Sequence, residues 1–331
     1  MGKGFVYSRG SDYNALVRKL VQITLFFVAV IATVVGFIWF VSREPVYQGK
    51  RLREWIQGFI DGTDSINAVV VVRAYGTNGI PFYLKLLQVT RPGLKDKLLD
   101  ILERHNLPRF GLSQGSLIDA EIGRLGFTIL GPEARSAVPA LTKLVLTENL
   151  TGNHWSPAGL SLAATGLDGA KALTILLHNS NPKLRAHAAF FTEEYAQPFD
   201  FWINANTGLP YPSISSNNVE SSAPILVPAL IPLATDANRE VRIAAIEALG
   251  KFACEPEKVM PILTAIVQNL KYDRSTRIEA IRALGEFGSS AKGSIPPLLR
   301  VLQNGDTGMR REAGIALKKI APDEAAKAGV E

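Results

Sequence analysis

The chain has 331 residues, 47% hydrophobic and 20% charged, room for two ordinary domains or one elongated repeat array and too apolar for wholesale disorder. Its formal net charge of +6 is concentrated at the start: residues 1–60 hold eight Lys/Arg against three Asp/Glu, while the other 271 residues carry 28 basic against 27 acidic side chains. A nucleic-acid binder needs a dense phosphate-neutralising face, so this balance argues for no nucleic acid as partner.

In chain order, residues 1–20 form a short basic tail, with Lys3, Arg9, Arg18 and Lys19 against Asp12. Residues 21–41, VQITLFFVAVIATVVGFIWFV, contain no charge. As a helix, Ile23 to Val41 is roughly 29 Å long, close to the ~30 Å hydrocarbon core of a bilayer, so the stretch predicts a transmembrane helix. A cleaved signal peptide is the rival reading, but the apolar core is long and the FVSREPVYQ that follows offers no A-x-A cleavage site. The expectation is a single-pass membrane protein in contact with the lipid bilayer through residues 21–41. The stronger basic flank on the N-terminal side predicts a cytoplasmic N-terminus, with the following domain extracytoplasmic (periplasmic). Residues 42–60 read as a linker.

From residue 61 to 322 the sequence repeats itself. VRIAAIEALGKF (Val241 to Phe252) returns 35 residues later as TRIEAIRALGEF and again, loosely, as MRREAGIALKKI from Met309. Val241, Ala244, Ala245, Ala248, Leu249 and Phe252 fall on one helical stripe, and the paired alanines let a neighbouring helix approach closely. Between these helices a proline-led apolar phrase recurs at Pro139, Pro228, Pro261 and Pro296, and Gly131 and Gly288 each stand eight residues before such a proline. Helix, glycine turn, proline-started helix and polar turn make a hairpin of about 35 residues, which cannot bury its apolar face without a neighbour.

The phrase D-x-x-x-[V]-R-x-x-A-x-x-A-L-G resembles the HEAT repeat, specifically the bacterial HEAT-like type named after phycobilisome lyases. The matching residues are Asp273, Arg277, Ala280, Ala283, Leu284 and Gly285, then Asp306, Arg310, Ala313, Ala316 and Leu317. In the copy before them Asp236 stands six rather than four residues ahead of Arg242, and the last copy lacks the glycine. Upstream, Arg185 stands three residues before Ala188 in the same manner. The resemblance is plainest over 224–320, fair over 118–195 and weaker over 61–105. The lead-in EPVYQGKRLREWI also looks like the segment that joins a membrane anchor to HEAT-like repeats in bacterial proteins. The resemblance implies an all-α fold: an α-solenoid (superhelix) of six or seven HEAT-like hairpins, preceded by one transmembrane helix. Arg185, Arg242, Asp273, Arg277, Asp306 and Arg310 read as a ladder tying successive turns, with a ligand-facing arginine row as the other reading.

The period breaks at residues 196–222, AQPFDFWINANTGLPYPSISSNNVESS, where three prolines rule out a continuous helix. Its aromatics Phe199, Phe201, Trp202 and Tyr211 are candidate partner-binding residues, or else a cap on the neighbouring apolar edge. The pattern then resumes to residue 322, and 323–331 read as a tail.

No catalytic, cofactor-binding or metal-ligating set is assigned. The four histidines form no H-x-x-x-H, and no C-x-x-C or Walker loop occurs. The single cysteine, Cys254, allows no intrachain disulfide. The function read from sequence is a membrane-anchored, non-catalytic scaffold holding a protein or peptide in the solenoid groove. The alternative is a HEAT-like lyase or other ligand-handling enzyme of the bilin-lyase kind, for which Cys254 is the thin basis.

Overall fold

The computed structural model describes residues 22, 24–26, 28, 30, 44–88, 115–148, 156–196 and 217–330. The chain divides into two units, Met1–Val46 and Tyr47–Glu331. In the first, Gln22, Thr24, Leu25, Phe26, Val28 and Val30 are helical and exposed; the rest of the predicted span 21–41 lies outside the described residues.

Two expectations are corrected here. Among the described residues no helix is long and apolar enough to cross a membrane, so the predicted transmembrane helix, and with it the single-pass localisation, does not stand. The longest described helix has 16 residues and spans about 24 Å, short of a ~30 Å bilayer core. The fold is instead a mostly helical, solenoid-like stack of repeats.

The first described strands form a two-residue ladder, β1 (Val46–Tyr47) with β2 (Lys50–Arg51). Gln48 and Gly49 both take positive φ, 49° and 79°, the geometry of a two-residue hairpin loop. Within the stretch read as a linker, α1 (Leu52–Ile60) buries Leu52, Ile56 and Phe59 in the common core. Trp55 closes the hairpin onto it, donating its indole N–H to the Tyr47 carbonyl at 3.2 Å under the Lys50 ammonium, 4.3 Å from the ring centre.

Then come α2 (Ser65–Tyr75), α3 (Ile80–Leu87), α4 (Gly115–Leu130), α5 (Val138–Thr147), α6 (Pro157–Ala164), α7 (Leu167–Leu177) and α8 (Pro182–Ala196). After residue 216 follow α9 (Asn217–Leu230), α10 (Arg239–Phe252), α11 (Pro256–Gln268), α12 (Arg274–Glu286), α13 (Ile295–Asn304), α14 (Thr307–Ile320) and α15 (Pro322–Lys327). Each odd-numbered helix from α1 to α13 packs on the even-numbered helix that follows it, which makes seven hairpins among the described residues. The even-numbered helices also stack on one another, α4 on α6 and so on to α14, and one core runs from Leu52 to Ala325.

Small residues set the stacking distance. A methyl on Gly250 would lie 2.9 Å from the Cα and Cβ of Ala283, and one on Gly285 would lie 3.2 Å from Ala316 Cα. The glycine of each ALG phrase is therefore where the next even-numbered helix comes closest. Aromatic rings fill the same kind of notch farther up: Tyr83 lies against Gly79 and Gly126, and Phe191 against Gly159.

The glycine-to-proline spacing also has a structural meaning. Gly131 and Gly288 take φ 57° and 53° and open 3₁₀ turns, Gly131–Ala137 and Gly288–Ser294, that deliver a proline to the first turn of α5 and α13. The joint between α10 and α11 lacks that glycine. There Ala253 and Glu255 take φ 43° and 50°, and Cys254 sits half-buried between them.

Candidate functional site: the turn ladder and its last rung

The polar turns that lead into α8, α10, α12 and α14 line up as rungs. In the first, Arg185 reaches back to the carbonyls of Asn179 and Ser180 at 2.8 and 3.0 Å and forward, through two 3.0 Å bonds, to the Asp236 carboxylate of the next turn. The fork matches the carboxylate in a bidentate pair, and both side chains are mostly buried. In the second, Arg242 repeats the arrangement on the carbonyls of Asp236 and Ala237 and donates to Asp273 at 3.0 Å. Here a second cation joins, since Arg239 donates to the same carboxylate at 3.1 Å.

Asp236 accepts the N–H of Asn238, which itself caps α10, whereas Asp273 and Asp306 serve their own helices directly. Asp273 accepts the Thr276 N–H at the start of α12 and Asp306 the Met309 N–H at the start of α14, satisfying donors that a helix end leaves orphaned. Burial pushes the Asp273 carboxyl up, but hydrogen bonds from the Thr276 hydroxyl and N–H, Arg239 and Arg242 outweigh it and hold the group well below the usual carboxylate range. Asp306 is likewise held low, first by Arg274 and then by the Met309 N–H.

The third rung is built differently. Arg274, the counterpart of Arg239, grips Asp306 with both forks at 2.8 and 3.0 Å. Arg277, the counterpart of Arg242, makes no bond to Asp306; its Nε donates to the Val267 carbonyl at the end of α11, 3.1 Å away. In the turn into α14 Arg310 bonds the Gly305 carbonyl at 2.6 Å and the Thr307 hydroxyl at 3.3 Å, both within its own turn. The displaced Arg277 lines a pocket of about 360 Å³ between α11, α13 and the turn into α14. Its walls include Val267, Pro297, Val301 and Met309, with Leu270, Arg300 and Asp306 among the other lining residues. Leu270 is 80% exposed, and Arg300 makes no hydrogen bond or ion pair with any described residue.

This is where known proteins align. HEAT repeats match the C-terminal part of the chain. Residues 226–253 match the family described as HEAT repeat and residues 263–328 that described as HEAT repeats, the stretch holding the second and third rungs. A search of curated proteins found no match. Among solved structures, the chain is similar to a crystal structure of an engineered protein from the Northeast Structural Genomics Consortium, at 16% identity and a TM-score of 0.39, covering 84% of this chain and 97% of that one. A second engineered protein from the same consortium aligns at 20% identity and a TM-score of 0.39, covering 84% and 76%. Likeness at that level carries no argument about function.

Of the residues singled out from sequence, Arg185, Arg242 and Asp273 take part in the turn ladder, whereas Arg277 and Asp306 stand in one pocket without bonding each other. Phe199, Phe201, Trp202 and Tyr211 lie outside the described residues. Among the described residues no group of three or more His, Cys, Asp or Glu is placed to hold a metal. His178 donates from Nδ1 to the Thr174 carbonyl at 2.8 Å, and His187 is buried with its ring edge-on to Phe191. Burial, then the Glu255 charge, pushes the Cys254 thiol up, away from the reactive thiolate. Arg239, Arg274 and Arg300 were missed. The first two could have been found, because each stands three residues before a repeat arginine, in REVR and RSTR.

Proposed function

We propose that this HEAT-repeat protein is a non-catalytic binding scaffold whose C-terminal hairpins receive a protein or peptide partner. HEAT repeats generally mediate interactions between proteins. The observation that carries the reading is the third rung: the pocket of about 360 Å³ is open, lined by apolar walls, and holds cationic groups that the stacking does not consume. A pocket of that size with a few convergent polar groups is the usual form of a binding site. The lyase alternative gains nothing from Cys254, whose thiol is held in its protonated form.

A photo-crosslinking side chain at Leu270, on the pocket, tests this against the same group at Lys292, at the opposite end of the hairpin. The scaffold reading expects one reproducible crosslinked protein from Leu270 and none from Lys292. Equal, diffuse labelling from both positions overturns it.

A further inference from the structure

Three features of the pocket between α11, α13 and α14 point to the chemistry of what it takes. First, the repeat arginine is free for it. Arg242, at the equivalent place, spends its guanidinium on two carbonyls and a carboxylate, while Arg277 spends only its Nε, on Val267. That release is possible because Arg274 has taken over Asp306 with both of its forks. Second, Arg300 lines the same space from α13 with no partner among the described residues. Two guanidiniums without carboxylates of their own, over low-dielectric walls, favour an anion. Third, the surroundings limit which anion. The Asp306 carboxylate shares the pocket and repels a dianion more than a monoanion. Val267, Pro297, Val301 and Met309 are buried and apolar, and Leu270 stands out at the edge, so the ligand brings apolar surface beside its charge.

We infer that this pocket binds a short acidic peptide segment, one carboxylate held between Arg277 and Arg300 and an adjoining apolar side chain set against Val301 and Met309. The inference rests on the scaffold reading and specifies its ligand. Planar guanidinium forks suit a carboxylate, since one fork can hold both oxygens.

The test uses the full chain and a fluorescent, capped pentapeptide with one glutamate flanked by leucines. The same peptide with glutamine, or with phosphoserine, in the central place serves for comparison, and binding is read by anisotropy. The glutamate peptide is expected to bind roughly ten-fold tighter than the glutamine peptide, the scale of one charge-assisted contact. Arg300→Glu should erase that preference and leave the thermal unfolding curve in place, because Arg300 makes no hydrogen bond or ion pair with any described residue. Equal binding of the glutamate and glutamine peptides overturns the inference, as does a preference that survives Arg300→Glu. Tighter binding of the phosphoserine peptide overturns it too, by assigning the pocket to a dianion. If the Leu270 crosslink persists while the peptides bind alike, the scaffold reading stands and only the acidic ligand is lost.

Discussion

At the scale of single residues, the close approach at the ALG glycines and the strained joint after α10 make opposite demands. Gly250→Ala places a methyl 2.9 Å from the Ala283 backbone, which cannot rotate away, and should destabilise the protein by about 1–3 kcal/mol, the usual cost of overpacking. Gly285→Ala meets Ala316 at 3.2 Å and should cost visibly less; urea unfolding of the two variants side by side gives the order. Ala253→Gly should act the other way. The left-handed conformation that Ala253 adopts costs a non-glycine residue roughly 1–2 kcal/mol, part of which glycine returns through the entropy of its unfolded chain. A net gain of about 0.5–1 kcal/mol in the same unfolding assay is expected.

At the scale of elements, the turns into α12 and α14 tie the last hairpins to pH. Asp273 and Asp306 are held below the ordinary carboxylate range, and Glu312, on α14, is lowered to about 2 by hydrogen bonds from Arg282, then Arg311, against burial. A carboxylate whose folded-state pKa is depressed contributes stability that is complete above its unfolded value and lost as pH falls through the folded one. Stability of α12 to α14 should therefore hold above about pH 4.5 and decline toward pH 2, where Glu312 protonates. Glu279 runs the opposite way, its carboxyl pushed up first by burial and also by Glu247 and Glu312, so acid relieves part of the loss. Hydrogen exchange of α12–α14 between pH 5 and 2.5 checks this; protection that is flat across the window contradicts it.

The same elements show what the sequence makes legible. The hairpin reading follows from helical periodicity and from Gly–Pro spacing, both local properties, and the structure keeps them: Gly288 opens the turn and Pro296 starts α13. The opposition of Arg242 and Asp273 can be read from the repeat spacing, since both belong to one period. The exchange of Arg277 for Arg274 on Asp306 cannot, because the two copies carry arginine at both places and only packing decides which one is used. Arg300 sits at a variable place of the proline-led phrase, where the other copies carry Lys143, Pro232 and Ala265, and becomes a candidate only through the pocket it shares. The apolar run at 21–41 invited a transmembrane helix from composition alone, and no helix among the described residues meets that requirement.

At the scale of the molecule, the stack is quasi-one-dimensional, each hairpin resting on its neighbours. The break in the repeat does not interrupt it. Arg185 and Asp236 are 51 residues apart, against 31 for Arg242 and Asp273, and the excess equals the length of residues 197–216. Helix α8 accordingly packs straight onto α10. Deleting residues 305–331 would remove α14 and α15 and uncover Leu284 on α12 and Leu298 on α13. The urea midpoint should fall, with hydrogen exchange accelerating in α11–α13 well before α6–α8. A uniform acceleration along the chain would mean that the hairpins do not unfold as neighbours.

The second rung carries two cations for one anion, and that surplus has an evolutionary consequence. A copied hairpin equipped with a spare can reassign one of the pair without toppling the pile, so the arginine freed from masonry becomes available to selection. It also leaves the arrangement reversible: Arg274→Ala would strip Asp306 of its guanidinium, summon Arg277 home to the place Arg242 holds, and shut the vacancy by mending the wall.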